Sequence, residues 1–375
     1  MTSTPFEQRL AWTRIQMPVT RAAGERLPSL ASMRLAYSGH LSLNIVPALE
    51  AILERGAELF LVTCNPATVR DEVVAHLAAR GAEVRARHGM SAEEYDEAIA
   101  AALAWGPTHS CEMGADLTAA AHRQGGGTIR AALEATGSGI DRLRSLELRY
   151  PVFNWDDLPV KEGLHNRYMV GLTTWQMFFE RTRLSLHGKR VVVVGYGLVG
   201  RGVAAAARAF GGVVSVAEKD PARLLEARYA GWPTGELEDL ASRADVLVTA
   251  TGAAGAVGAE VVARLPAGCF LLNVGHRGDE IDLAALPERR PVLPHLEACR
   301  VGEREIYLLA GGAMANLAAG HGDSLNAFDV TSAVMAAGVG FLAGVDDAWR
   351  PGVHPLPRKV WESAASWATT IPSLP

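Results

Sequence analysis

Short runs of apolar residues alternate with helix-length stretches along most of the chain. The first series opens with Met33–Tyr37, which reads as a strand, then Leu43–Arg55 as a helix and Glu58–Thr63 as a strand. Ala67–Arg80 reads as a helix, Ala82–Arg85 as a short strand and Ala92–Leu103 as a helix, with a further strand end at Cys111–Gly114. This βαβα rhythm predicts a parallel sheet covered by helices. Ahead of it, residues 1–32 read as irregular apart from one short helix at Glu7–Arg14. Behind it come a glycine-rich turn at Gln124–Gly127, mixed signals over Ile129–Arg144, an Asp- and Pro-containing connector at Phe153–Pro159 and a helix at Leu172–Arg183.

A second series begins after Gly188. Val191–Val194 are four β-branched residues in a row, the mark of a strand buried on both faces. Gly195, Gly197 and Gly200 follow as G-x-G-x-x-G, and an Ala-rich, helix-forming stretch runs on to Phe210. In this strand–turn–helix setting the first glycine permits the tight turn, the second lets the backbone approach a pyrophosphate and the third lets helix and strand pack closely. The N–H groups that open the helix, at Leu198 and Val199, would face the phosphates. The next strand, Val213–Ala217, ends at Glu218, where a carboxylate accepts ribose hydroxyls and repels a 2′-phosphate. Arg223 and Lys219 stand close by, which leaves NADP disfavoured but open. The alternation continues through strands at Val246–Ala250 and Phe270–Val274 and an antiparallel pair around Val292 and Ile306–Leu309. A helix at Thr331–Leu342, a loop at Pro351–Pro357 and a short helix at Arg358–Ala368 complete it. The expected fold is α/β, with two domains, each a parallel doubly wound sheet, the second a Rossmann domain holding NAD.

Composition narrows the function by exclusion. Apolar residues make up 49% and charged residues 21% of the 375 positions, as in a globular enzyme. A formal charge of −5 argues against nucleic acid as a partner. Cys64, Cys111, Cys269 and Cys299 form no C-x-x-C pair and no zinc spacing, so reduced thiols in the cytoplasm and no metal are expected. The first residues lack the apolar core of a signal peptide. The longest apolar stretch, Thr331 to Val345, is about 15 residues, too short for a membrane span and readable as a buried helix.

Several segments together resemble the S-adenosylhomocysteine hydrolase family. They include Ser38–Gly39–His40, Cys64–Asn65–Pro66, Glu93–Glu94–Tyr95, Asp116–Leu117–Thr118 and Glu134 to Gly139. Lys161 with Asn166 and Tyr168, Gly195 to Gly202, Asn273–Val274–Gly275–His276 and Glu280–Ile281–Asp282 continue the series, followed by Asn316–Leu317, Gly320–His321 and Gly352–Val353–His354. The resemblance runs from Met33 to about Ala368. It implies a substrate domain over residues 1–171, a Rossmann NAD domain over 187–320, a returning segment of the substrate domain over 323–356 and a tail over 357–375. It also implies a cleft that closes at hinges near 157–172 and 320–325, and a homo-oligomer, dimer or tetramer. The implied reaction oxidises a sugar hydroxyl of a nucleoside-like substrate with NAD⁺, eliminates at the neighbouring carbon, adds water and returns the hydride.

The resemblance also assigns roles. Lys161 assists sugar oxidation, since a lysine withdrawn from water can serve as a base. His40 and His276 match acid/base histidines, and His321 a third histidine at the second hinge. Asn166 matches a residue at the nicotinamide end. Thr136, Ser138, Thr251, Gly252, Val274, Gly275 and Asn316 match cofactor contacts. Without the resemblance, Lys161 reads as a linker lysine, Asn166 as a turn asparagine and the histidines as loop residues.

The departures fall on acids. Met113 stands where the family has an aspartate, Ala135 replaces a glutamate, and His165 replaces the aspartate before the cofactor asparagine. Ser42 and Asn44 replace the threonine and the adenine-side acid or glutamine, and Arg277 replaces an aromatic residue. Less negative charge is therefore expected beside Lys161. His165 becomes a candidate proton carrier, and Arg277 a candidate for binding an anionic substrate group. Weak recognition of adenine follows from Asn44, whose amide oxygen can still accept one hydrogen bond. The family's terminal Lys and Tyr contacts have no counterpart around Thr370–Ile371–Pro372, which predicts faster NAD exchange. The expected substrate is one other than S-adenosylhomocysteine. True S-adenosylhomocysteine hydrolysis, and a non-catalytic NAD-binding regulator, remain as alternatives.

Overall fold

A computed structural model describes residues 4–371. The chain divides into two compact units: the first runs to Lys161 and resumes at Leu325, and the second is Glu162–Ser324. Among the described residues, fourteen strands build two sheets. In chain order they are β1 (Arg34–Gly39), β2 (Glu58–Thr63), β3 (Glu83–Val84), β4 (His109–Glu112), β5 (Ala131–Glu134), β6 (Pro151–Asn154) and β7 (Arg190–Val194). They continue with β8 (Val213–Ala217), β9 (Val246–Thr249), β10 (Phe270–Asn273), β11 (Glu288–Leu293), β12 (Leu296–Val301), β13 (Arg304–Leu309) and β14 (Gly352–Pro355).

The first unit's sheet has the order β14-β6-β5-β4-β1-β2-β3 and is parallel throughout. Both faces of the sheet are covered, so its inner strands are buried along nearly their whole length, polar residues included. Leu35 and Tyr37 of β1 and Leu59 and Leu61 of β2 enter one core; Ala36, Phe60 and Val62 point to the other. The larger core also takes Val334, Met335, Val339 and Leu342 from the helix Leu325–Leu342. That helix begins six residues before the expected Thr331. At 18 residues it is long and apolar enough to cross a membrane, but here it is packed within the unit, with Met335 and Leu342 fully buried.

The second unit's sheet has the order β11-β12-β13-β10-β9-β7-β8, parallel except at β12, which pairs antiparallel with both β11 and β13. Val191 and Val193 face one core and Val192 and Val194 the other. The four cysteines are free.

Several sequence expectations change. Residues 5–25 are not irregular: they form helices Pro5–Gln16 and Pro18–Glu25. Thr4 and Glu7 make a capping box and proline opens each helix; the apolar pattern is weakly amphipathic in the first helix, while the second is amphipathic but only eight residues long. The helix expected over Ala67–Arg80 breaks into a short turn at Pro66–Thr68 and a helix at Asp71–Ala79. The mixed stretch Ile129–Arg144 resolves into β5 and a helix at Gly137–Arg144. Phe153 belongs to β6, and the loop Pro351–Pro357 contains β14, which pairs with β6. Val292 does not pair with Ile306–Leu309, because β12 lies between them. The first unit ends at Lys161 and not near 171. Lys161–Met169 is a π-helix that runs directly into the helix Val170–Thr182, and a Cβ on Gly202 would lie 2.0 Å from Arg167 O. Asp323 and Ser324 likewise stay with the second unit. The helix Arg358–Thr370 packs on Leu325–Leu342 and Pro18–Glu25; Pro372 lies outside the described residues.

Candidate active site

In the first unit the strand order reverses between β1 and β4, and in open α/β sheets ligands bind beyond the carboxyl ends at such a point. The residues that leave those ends are His40 after β1, Met113 after β4, Ala135 after β5 and Trp155 after β6. Backbone bonds carry the ladder one step further: Met113 N donates to Ser38 O at 2.9 Å, Ala135 N to Glu112 O at 3.0 Å and Trp155 N to Glu134 O at 3.1 Å. His40 Nδ1 lies 2.8 Å from Thr68 Oγ1, and Cys64 Sγ lies 3.6 Å from the same nitrogen. Burial pushes the Cys64 thiol well up, so it meets His40 as a neutral thiol. Asn44 is 5% exposed, and its Oδ1 accepts from Ser42 Oγ at 2.5 Å.

Lys161 is 8% exposed. Its Nζ donates to Ala135 O at 2.7 Å and contacts Asp156 Oδ1. The expectation of reduced negative charge beside Lys161 is therefore corrected. Asp156 places a carboxylate against the lysine, and Ala135 holds the lysine through its carbonyl. Asp156 was visible only as part of a polar connector.

Two fully buried carboxylates brace this edge. Glu134 accepts from Gly114 N, Ala115 N, Thr136 N and Thr136 Oγ1 at 2.6–3.0 Å. Glu112 accepts from Leu117 N at 2.8 Å and Thr118 N at 3.0 Å. Thr136 thus has its hydroxyl engaged, donating to Glu134 and accepting from Gly139 N, and Ser138 Oγ lies 3.4 Å from it. Tyr95 and Asp116, from two matched motifs, form a structural tie: Tyr95 OH donates to Asp116 Oδ2 at 2.7 Å.

Burial raises both acids above the ordinary carboxylate range, Glu112 to about 8 and Glu134 to about 7, with the Glu134 charge adding to the rise at Glu112. Below about pH 4.5 both folded and unfolded chains hold these protons, so no penalty exists. As pH rises, the unfolded chain releases them first, and the folded state loses stability until about pH 8, where the penalty levels off. Urea unfolding across this range should show stability falling with pH, and Glu112→Gln should flatten the slope.

The second unit holds the glycine fingerprint at its own reversal, where β7 lies between β8 and β9. Gly195 has φ +95°, and a Cβ there would stand 2.7 Å from Ala250 O. A Cβ on Gly200 would stand 2.0 Å from Gly195 O. Gly197 caps the helix Leu198–Ala209 without a side-chain bond, and a Cβ there would meet only Arg223 Nη1, at 3.7 Å. The space over the N–H groups of Leu198 and Val199 is therefore open to an anion. Glu218 accepts from Tyr196 N at 2.6 Å, Lys219 N at 2.7 Å and Asp220 N at 2.9 Å. Its ionised oxygens retain capacity for a hydroxyl.

The remaining cofactor candidates sit on loops pinned from beneath. Fully buried Glu280 accepts from Thr251 N at 2.9 Å, Thr251 Oγ1 at 2.7 Å and Gly252 N at 2.8 Å, and only glycine fits above it at position 275. Asn273 accepts from Gly275 N at 2.8 Å and donates to Arg277 O at 2.6 Å, which fixes the turn carrying Val274 and His276. Glu280 and Asn273 belong to matched motifs but were not among the expected site residues. Asn316 is 2% exposed with a buried Oδ1 that has no partner. That orphan acceptor, the open Gly197 cradle and the Glu218 carboxylate fit a bound dinucleotide.

Other candidates are placed differently. Arg277 is not presented as a free cation: Asp279 holds it through two contacts at 2.8 and 2.6 Å. His321 is 87% exposed, with Nε2 3.5 Å from Glu180 Oε1. His165 Nε2 lies 3.0 Å from Asp323 Oδ2, and its Nδ1 3.2 Å from Asn166 Oδ1. Nothing in the sequence pattern pointed to Asp323.

Comparison with known proteins follows the same lines. Residues 13–149 match the S-adenosyl-L-homocysteine hydrolase family model, and residues 177–322 match the model of that family's NAD-binding domain. An S-inosyl-L-homocysteine hydrolase from Methanopyrus kandleri is 33% identical over 368 residues, covering 94% of this chain and 87% of its own. An adenosylhomocysteinase from Pyrobaculum aerophilum is 33% identical over 372 residues, covering 90% and 85%. Another, from Pyrococcus abyssi, is 34% identical over 373 residues, covering 96% and 88%.

Proposed function

The chain belongs to the S-adenosyl-L-homocysteine hydrolase family, and on that premise we propose that it is a cytoplasmic, homo-oligomeric, NAD-dependent hydrolase of a nucleoside thioether whose base is a 6-oxo purine and not adenine. When bound, NAD⁺ supplies a hydride acceptor for the sugar. In this reading Gly197, Leu198 and Val199 receive the pyrophosphate, Glu218 a ribose, and Asn166 and Asn316 the nicotinamide end. Lys161, held by Asp156 and Ala135 O, takes the proton of the sugar 3′-hydroxyl as that carbon is oxidised, its own proton passing to the Asp156 carboxylate in contact with it. The ketone acidifies the neighbouring 4′-hydrogen. His40, anchored at Nδ1 by Thr68, carries that proton while the C5′–S bond breaks and water replaces the thiol.

The base assignment rests on one observation. Asn44 Oδ1 already accepts from Ser42 Oγ, which occupies one of its two lone pairs and fixes the amide with Nδ2 as its wholly uncommitted end. An amide NH₂ only donates. It complements the 6-oxo group of hypoxanthine and opposes the 6-amino group of adenine. Relatives named S-inosyl-L-homocysteine hydrolase and relatives named adenosylhomocysteinase are equally similar, at 31–34% identity, so the family accommodates a 6-oxo base and the choice rests on Asn44.

Competing hydrolysis of S-inosyl- and S-adenosyl-homocysteine, followed by thiol release, tests this. An unpaired polar contact costs about 1–3 kcal/mol, so the inosyl substrate should be favoured by roughly 5- to 150-fold in kcat/KM. Ser42→Ala releases the amide to turn and should narrow the ratio. Preference for the adenosyl substrate would instead make this an S-adenosylhomocysteine hydrolase with an altered base site. No turnover of either, with NAD bound, would favour a regulatory NAD-binding protein.

A further inference from the structure

The acid absent from position 165 has a counterpart elsewhere in the second unit. His165 lies on the π-helical turn Lys161–Met169, and Asp323 in the turn that precedes the helix Leu325–Leu342. The two side chains are 10% and 8% exposed, and His165 Nε2 stands 3.0 Å from Asp323 Oδ2. A second tie joins the same two segments: Ser324 Oγ lies 3.9 Å from Met169 Sδ. On its other edge His165 Nδ1 lies 3.2 Å from Oδ1 of Asn166.

We propose that Asp323 is a positioning residue that fixes His165 with its proton on Nε2 and, through Nδ1, sets the orientation of the Asn166 amide. The Asp323 carboxylate lies at ion-pair distance from Nε2 and, when ionised, only accepts, so it favours the hydrogen on that nitrogen over the one drawn on Nδ1 by the Asn166 Oδ1 contact. Nδ1 of the neutral ring is then an acceptor, and it is satisfied when Asn166 turns its NH₂ towards it. The two ends of a side-chain amide have nearly the same shape, so this turn needs no other movement. Asn166 Oδ1 is thereby released as an acceptor pointing away from His165. The consequence for the cofactor rests on the reading that Asn166 contacts the nicotinamide; the tautomer itself does not.

Both parts can be measured on the full-length protein. Nitrogen-15 NMR of histidine-labelled protein, with His165→Gln to assign the signals, should show His165 as a single Nε2–H tautomer. Asp323→Asn should convert it to a mixture or to Nδ1–H, and Asp323→Glu should restore it. In turnover, Asp323→Asn should lower kcat by roughly tenfold or more, with KM changed less than about twofold. Asp323→Glu should recover most of the rate. Asp323→Ser, which removes the charge with less bulk, gives the same reading should the asparagine variant fold poorly. An unchanged His165 tautomer in folded Asp323→Asn or Asp323→Ser overturns the proposal even in a fully active enzyme. An inactive protein whose tautomer responds as described leaves the proposal standing and counts against the proposed function alone.

Discussion

Lys161→Arg is expected to keep the fold and NAD affinity while losing substrate-dependent reduction of bound NAD by about 10³-fold, within the range a positioned base contributes. The arginine keeps a positive charge against Asp156, so the ion pair can persist. A guanidinium does not give up its proton near neutral pH, so the sugar hydroxyl has no acceptor. Lys161→Ala should be equally inactive for a second reason. It leaves Asp156 and Ala135 O without their shared donor in a largely buried place, at a cost of about 1–3 kcal/mol of stability. Comparing the two variants separates charge from proton transfer. The rise in near-ultraviolet absorbance of the reduced nicotinamide, on mixing with substrate, is the measurement. An arginine variant that reduces NAD at the wild-type rate would remove Lys161 from the role of base and shift attention to His165 and His276.

Two glycines of one fingerprint should fail in different ways. Gly200→Ala drives a methyl to 2.0 Å from Gly195 O, a backbone atom that cannot move without opening the turn. A loss of about 3 kcal/mol or more is expected, a fall of roughly 6–12 °C in Tm for a unit of this size. Gly197→Ala meets only the end of Arg223, at 3.7 Å, so stability should hold. Its methyl, however, fills the space above the helix N-terminus. Displacing a phosphate from those N–H groups costs about 1.5–3 kcal/mol, or roughly 10- to 150-fold in NAD affinity. Calorimetric titration with NAD, beside thermal unfolding without it, distinguishes the two. Equal behaviour of the variants in both assays would contradict the geometry.

Much of the architecture was legible because local pattern and tertiary demand agree. A run such as Val191–Val194 can only be a strand covered on both sides, and the glycines after it serve a turn whose backbone contacts leave no room for a Cβ. The elements misread were those whose local signal is weak or shared. β14 is four residues within a proline-rich stretch and exists because β6 offers it an edge. The helix Pro18–Glu25 has no side-chain cap of its own. Val19 N and Thr20 N are satisfied at 2.9 and 2.7 Å by Asp329, far along the chain.

The site divides the same way. The dinucleotide fingerprint, the family and the positions where acids are missing are all readable from residue type and spacing. Where negative charge returns depends on the folded chain. Asp156 reaches Lys161 within one connector, and Asp323 reaches His165 across more than a hundred and fifty residues of chain. A charge interacts through space, so any residue that folding brings within contact distance can supply it. Nothing in the order of the residues marks which one will.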